Sequence, residues 1–328
     1  MNGVQLSLWG KMPNCPCIGL LDDGDEHCQK NVYEVTSYDT ISCDDRRYPL
    51  HIASVRGLGF HDVVAHPIPD IVIPSYMPMI TKGSHRLFEE VEGIPMVGIT
   101  LDQLVSPKKL QLPENIRKTF GVPDETKIVL LNYAHDAVIE QIWPKRMEFF
   151  KKIADLEFDL VTGIDYSIWH NQPHLERLFN IKRNLITFEE FQLLGIPCIP
   201  HVYWYGIRDL ERWAEWINNN SHVTTIAVNL QTVRNPSLWD QVTKEIGYFK
   251  NLLHRDIRLL ITGPSTETKI TQLLTASPFS LTNAVPAHRA WSRRAVDENG
   301  KYSITNELSV SQIFMQNIQY QQQLLTGI

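Results

Sequence analysis

The chain has 328 residues, 43% hydrophobic and 21% charged, with a formal net charge of −6 and a pI near 6.1. This is a globular composition with length enough for a large core, and it excludes a surface that is basic everywhere, as dedicated nucleic-acid binders carry. No run reaches the roughly 18 apolar residues of a membrane span. The opening MNGVQLSLWGKMPNC also lacks the apolar core of a signal peptide, so a soluble, cytoplasmic protein with no membrane contact is expected.

Residues 1–65 read as an N-terminal cysteine-rich segment. Cys15, Cys17, Cys28 and Cys43 fall here, with His27 as a spare ligand, among the acidic, turn-like Asp22, Asp23, Asp25 and Glu26. Four thiolates can hold a structural zinc ion and order a segment that has little core. The spacing is not that of a CxxC pair, and an iron–sulfur cluster or unliganded thiols stay open as alternatives. The fifth cysteine, Cys198, sits in an apolar run and reads as a small core residue.

From residue 66 onward a short apolar run is followed repeatedly by a helical stretch. The runs are DIVIPS (70–75), PMVGIT (95–100), KIVLLNYA (127–134), FDLVTGID (158–165), PCIPHVYW (197–204), TTIAVNLQ (224–231), RLLITGP (258–264) and FSLTNAV (279–285). Near-continuous apolarity suits strands buried on both faces, as in a parallel sheet. Among the helices, Trp143-Pro144 ends or kinks one that begins near His135. Thr187 and Glu190 form a capping-box pair, with Gly195 as the stop. Ile207, Leu210, Ala214 and Ile217 share a helical face. Asn235-Pro236 caps a helix whose apolar face is Leu238, Val242, Ile246, Phe249 and Leu253. Eight such units predict an α/β fold of the (β/α)8 TIM-barrel type over 66–328, distorted at its first strand by Pro67, Pro69 and Pro74. An open doubly wound sheet is the alternative.

In parallel α/β folds, ligands bind at the carboxyl ends of the strands. Asp165 stands at such an end and reads as a general base, nucleophile or metal ligand, or else as a helix cap. Ser167 and His201 join it as catalytic candidates. Ligand-orienting candidates are Asn132, Tyr203, Asn229, Gln231 and Asn283. Arg183, with Asn180 and Lys182, reads either as a group that reaches over the rim to hold a phosphate or carboxylate, or as a solvated helix face. Trp204 and Tyr205 can stack a base or simply pack. HRAWSRR (288–294) offers Arg289, Arg293 and Arg294 to a nucleic-acid backbone, or is an ordinary surface loop. No P-loop, GxGxxG, GxSxG or HExxH element is present.

The element DYSIW (Asp165, Tyr166, Ser167, Ile168, Trp169) is followed by Pro173, then Asn180 and Arg183. Then comes GIPCIPHVYW, with Gly195, Ile196, Ile199, Pro200 and Trp204. This resembles the domain of unknown function 4417 family of bacterial and phage-derived proteins, over residues 158–265. The family has no settled activity, so the resemblance implies no catalytic role. A fainter similarity is to base-exchanging guanine transglycosylases, but their DSGG-type element and C-terminal zinc signature are missing.

Two functional expectations follow. One is an enzyme acting on a small or nucleotide-like ligand, with Asp165 as acid, base or nucleophile. The other is a module without turnover that holds nucleic acid or a protein partner.

Overall fold

Most of the apolar runs fold as strands where the pattern puts them, because each is rich in β-branched residues and covered on both faces. The computed structural model describes residues 52–105, 110–168 and 174–326. The strands are β1 (Tyr76–Pro78), β2 (Met96–Thr100), β3 (Lys127–Leu131), β4 (Leu160–Thr162), β5 (Cys198–Ile199), β6 (Thr225–Asn229), β7 (Arg258–Thr262) and β8 (Ser280–Asn283). The helices are α1 (Leu101–Leu104), α2 (Ile116–Phe120), α3 (Asp136–Ile142), α4 (Arg146–Ala154), α5 (His174–Leu193), α6 (Ile207–Asn219), α7 (Pro236–Leu252), α8 (Glu267–Ala276), α9 (Val285–Trp291) and α10 (Val310–Thr326). A hairpin of β9 (Arg294–Val296) and β10 (Tyr302–Ile304) joins α9 to α10.

The expected eight-stranded TIM barrel is corrected. The strands form two four-stranded parallel sheets, ordered β2-β3-β4-β5 and β1-β8-β7-β6. Between them, among the described residues, stand only isolated parallel bridges, Met79 with Gly98 and His201 with Ala227. Proline supplies the physical reason. The seam strands β1 and β5 are three and two residues long, and Pro74, Pro78, Pro197 and Pro200 lie in or beside them. Proline has no N–H to donate, so a ladder cannot continue there. The first run is also displaced: β1 begins at Tyr76, just past DIVIPS.

The inner faces of the two sheets share a small core that includes Met77, Met79, Met96, Val129, Leu131, Leu160, Ile199, Ala227 and Leu260. The outer faces pack a much larger apolar core against the helices. At about 25 cal/mol per Å² of buried apolar surface, these cores dominate the stability.

Helix α5 differs from the sequence expectation. Every residue from His174 to Glu189 is buried, including Lys182 and Arg183. Thr187 lies inside this helix rather than at a start; its Oγ accepts from Ile164 N at 3.1 Å and donates to Asn184 O at 3.0 Å. A strap formed by residues 56–66 covers α5. Arg56 donates to Glu189 Oε2 at 2.7 Å, and Val64 N donates to Glu189 Oε1 at 2.9 Å. Lys182 Nζ donates to Gly59 O and to Asp62. Trp216 Nε1 of α6 donates to Val63 O at 2.8 Å. Residues 52–65, assigned by sequence to the N-terminal segment, are thus bonded to the helical layer.

The other helices form where they were read, though Ile207 is 41% exposed and Leu253 lies just past α7. Trp143–Lys145 is a 3-10 turn between α3 and α4. Asn235 caps α7, its side chain accepting from Ser237 N at 2.9 Å. Leu238 is the exception on that helix, being 44% exposed. No described helix is long and apolar enough to cross a membrane.

Candidate functional site at the strand carboxyl ends

Parallel strands put their carboxyl ends on one side, and there the inner face changes from apolar to polar. Buried Asn132, Thr162, His201, Thr262 and Thr282 follow or end β3, β4, β5, β7 and β8. Asn229, half-buried, ends β6. Asp165 lies three residues past β4, fixed by its own N–H donating to Asn132 O at 3.1 Å.

The Asp165 carboxylate is 7% exposed. Its Oδ2 accepts from Asn229 Nδ2 at 3.0 Å. Its Oδ1 lies 3.3 Å from His201 Nδ1, without the alignment of a hydrogen bond. His201 is fully buried, and its ring contacts Tyr133 and Tyr203 at centroid distances of 5.3 and 5.9 Å. Thr262 Oγ donates to the Tyr133 hydroxyl at 3.2 Å.

Burial pushes the His201 pKa below the ordinary histidine value, and the nearby Asp165 charge opposes that only in part. The imidazole is therefore neutral near pH 7. Burial, together with the Asp165 charge, raises both Tyr133 and Tyr203, so both phenols stay protonated; hydrogen bonds from Thr262 and Thr232 act in the other direction. Asp165 Oδ1, both His201 ring nitrogens, Asn132 Oδ1 and Thr282 Oγ have no hydrogen-bond partner among the described residues. Buried polar atoms are rarely left so, and each costs about 1–3 kcal/mol.

The structure thus gathers Asp165, His201, Asn229 and Tyr203, with the Asn132 backbone carbonyl at the Asp165 N–H. Other candidates are held elsewhere. Ser167 Oγ donates to Asp136 Oδ1 at 2.8 Å at the start of α3. Arg183 makes a two-pronged pair with Glu140 at 2.7 and 2.8 Å, and its guanidinium lies 3.9 Å above the Tyr166 ring. It neither reaches over the rim nor faces solvent, because α5 is covered on both sides. Asn180 donates to Ser167 O at 2.7 Å. Asn283 ends β8 just before α9: its Oδ1 accepts from Val285 N at 3.0 Å and from Tyr76 OH at 2.9 Å, while its Nδ2 donates to Pro264 O at 2.8 Å. Gln231 is exposed past the end of β6, its N–H donating to Asn229 Oδ1 at 3.1 Å.

Trp204 packs, with Nε1 donating to Glu245 at 2.7 Å, and Tyr205 lies under the Arg177 guanidinium at 3.7 Å. Arg289 stacks on Tyr302 at 4.8 Å in the last turn of α9, and Arg294 opens β9. Arg293, at φ +56°, lies in the turn between α9 and β9. A groove of about 300 Å³ between α6 and α7, lined by Glu211, Glu215, Asn218 and His254, is remote from the Asp165 rim.

No group of three or more His, Cys, Asp or Glu side chains among the described residues could hold a metal ion. Cys15, Cys17, Cys28 and Cys43 lie outside the described residues, as do Trp169, His170 and Pro173. Cys198 is a buried free thiol whose pKa burial pushes well up, as suits a core residue. Tyr133 is a site residue that the sequence reading missed, as it missed Thr162 and Thr282. The signal for Tyr133 was its place two residues past inward-facing Leu131 in KIVLLNY, on the same strand face.

A family model described as "Domain of unknown function (DUF4417)" matches residues 91–255, half of the chain. The chain belongs to the DUF4417 family. The match starts well before the 158–265 range of the motif resemblance and ends just before β7, so the DUF4417 region holds Asn132, Tyr133, Asp165, His201, Tyr203 and Asn229. Thr262 and Thr282 lie beyond it. A search of curated proteins finds no match.

Proposed function

We propose that the chain is an enzyme acting on a small or nucleotide-like ligand at the carboxyl ends of its parallel strands, with Asp165 as acid, base or nucleophile. One observation carries this reading: a buried carboxylate beside a buried neutral imidazole, with Oδ1 and both ring nitrogens lacking hydrogen-bond partners among the described residues. A purely structural aspartate would be expected to have its oxygens satisfied by backbone amides or a cap. In this reading Asn229 fixes the plane of the carboxylate and leaves Oδ1 for the reacting atom. As the neutral Nδ1–H tautomer, His201 can turn that N–H towards Asp165 Oδ1 and leave Nε2 as an acceptor for the ligand or a water.

The test is conversion. Purified full-length protein is incubated with a small-molecule cell extract, and species that disappear or appear are followed by mass spectrometry. Wild type is expected to deplete at least one species, and Asp165→Asn to slow that by about a hundredfold or more with little change in melting temperature. Absence of conversion by wild type, or equal conversion by Asp165→Asn, overturns the reading. A large stability loss marks Asp165 as structural.

Structural zinc at Cys15, Cys17, Cys28 and Cys43 is a separate proposal, supported by four cysteines falling within one stretch that has little core. One zinc per chain in freshly purified material is the expected elemental analysis. Metal far below that ratio refutes it.

A further inference from the structure

Asp165 is a carboxylate almost removed from water, and a buried anion is costly unless a cation compensates it. Among the described residues no lysine or arginine pairs with it. Its contacts are the Asn229 amide, its own backbone link to Asn132 and the His201 ring. The imidazole is not that cation, because burial keeps it neutral. The nearby basic side chain that sequence offered, Arg183, is engaged by Glu140. What remains without a partner among the described residues is an acceptor pair: Asp165 Oδ1 and the lone-pair nitrogen of His201. The rings of Tyr133 and Tyr203 stand against His201 beside the carboxylate, and aromatic faces attract cations. A phosphate or carboxylate ligand would meet a negative group here, and among the described residues no lysine or arginine pairs with Asp165 to offset it.

We propose that Asp165 and the rings around it receive a small, flat nitrogen cation, an amidinium or guanidinium group with N–H donors directed at Asp165 Oδ1. Such a group supplies both the missing charge and paired donors that suit a carboxylate. The inference rests on the reading of this rim as a ligand site, and it names the ligand class.

The test is binding by the full-length chain of benzamidine and methylguanidine, followed by saturation-transfer NMR and calorimetry. Benzamide (N–H donors without charge), tetramethylammonium (charge without N–H), benzoate and Mg²⁺ are the comparisons. Benzamidine or methylguanidine is expected to bind at least about tenfold more tightly than benzamide and tetramethylammonium. Asp165→Asn is expected to weaken it by about tenfold or more, the size of one charge-assisted hydrogen bond. Should that variant fold poorly, hydrogen exchange on wild type decides: benzamidine should protect residues 160–168 and 199–205, and protection elsewhere or none overturns the proposal.

Equal binding of benzamide or tetramethylammonium, preference for benzoate, or Asp165-dependent binding of Mg²⁺ alone also overturns it. Conversion of an extract species without amidine binding removes the ligand class and leaves the enzyme reading. Amidine binding without conversion does the reverse.

Discussion

His201 carries the site's pH signature. Its folded pKa lies below the unfolded value of about 6.5 because burial disfavours the imidazolium. Below about pH 6.5 the unfolded chain takes up a proton that the fold resists, so stability falls as pH drops through that value towards the lowered folded pKa. Above it this contribution is constant. Denaturant unfolding at pH 5.5 and 7.5 should therefore show a loss at the lower pH that is reduced in His201→Gln; an unchanged loss in the variant would place the titration elsewhere. Gly263 sets the other side of the rim. Its φ is +118°, and a Cβ there would lie 2.6 Å from Gln231 N. Gly263→Ala should cost about 2 kcal/mol or more from backbone strain and collision, read as a lower melting temperature. Asp165 and Asn229 were legible in the sequence because both sit where an apolar run meets a loop. Asn283 was legible only as a strand-end polar group; its bonds to Tyr76, Pro264 and Val285 required the fold.

At the scale of elements, α5 and its strap are the main departure from pattern. Glu189 is buried and accepts from both Arg56 and Val64 N. Glu189→Leu leaves the Val64 N–H without its partner and Arg56 with Asp62 alone, and should destabilise by about 1–3 kcal/mol; a shift within error in denaturant midpoint would show that the strap contributes little. Sequence periodicity could not reveal this arrangement. The polar residues of α5, Lys182, Arg183 and Asn184 among them, resemble a wet face, and Thr187 with Glu190 resembles a helix start. They are inside because Asp62, Gly59 and Glu140, remote in sequence, arrive to pair with them. The strands were read well for the opposite reason. A run such as KIVLL encodes burial on both faces locally, whatever its neighbours are.

For the whole molecule, the family-matched region is not a closed unit. Residues 91–255 contain β2 to β6, but β6 pairs with β7 along Thr225–Asn229, and β7 and β8 lie outside. An excised 91–255 fragment would expose the β6 edge and lose the strap at 56–66, so it should be insoluble or lack cooperative unfolding, whereas residues 52–328 should unfold cooperatively. A well-folded fragment, seen by dispersed amide NMR, would contradict that dependence. By itself the sequence determined the α/β class, the parallel strand–helix alternation and the rim position of Asp165, since strand burial, helix caps and turn residues are encoded within a few neighbours. Only the tertiary structure decided that the strands divide into two sheets at proline-bordered seams, that Arg183 is engaged inside α5, and that His201 faces inward beside Asp165 and Tyr133. Those outcomes depend on partners far apart along the chain, whose meeting no local pattern specifies.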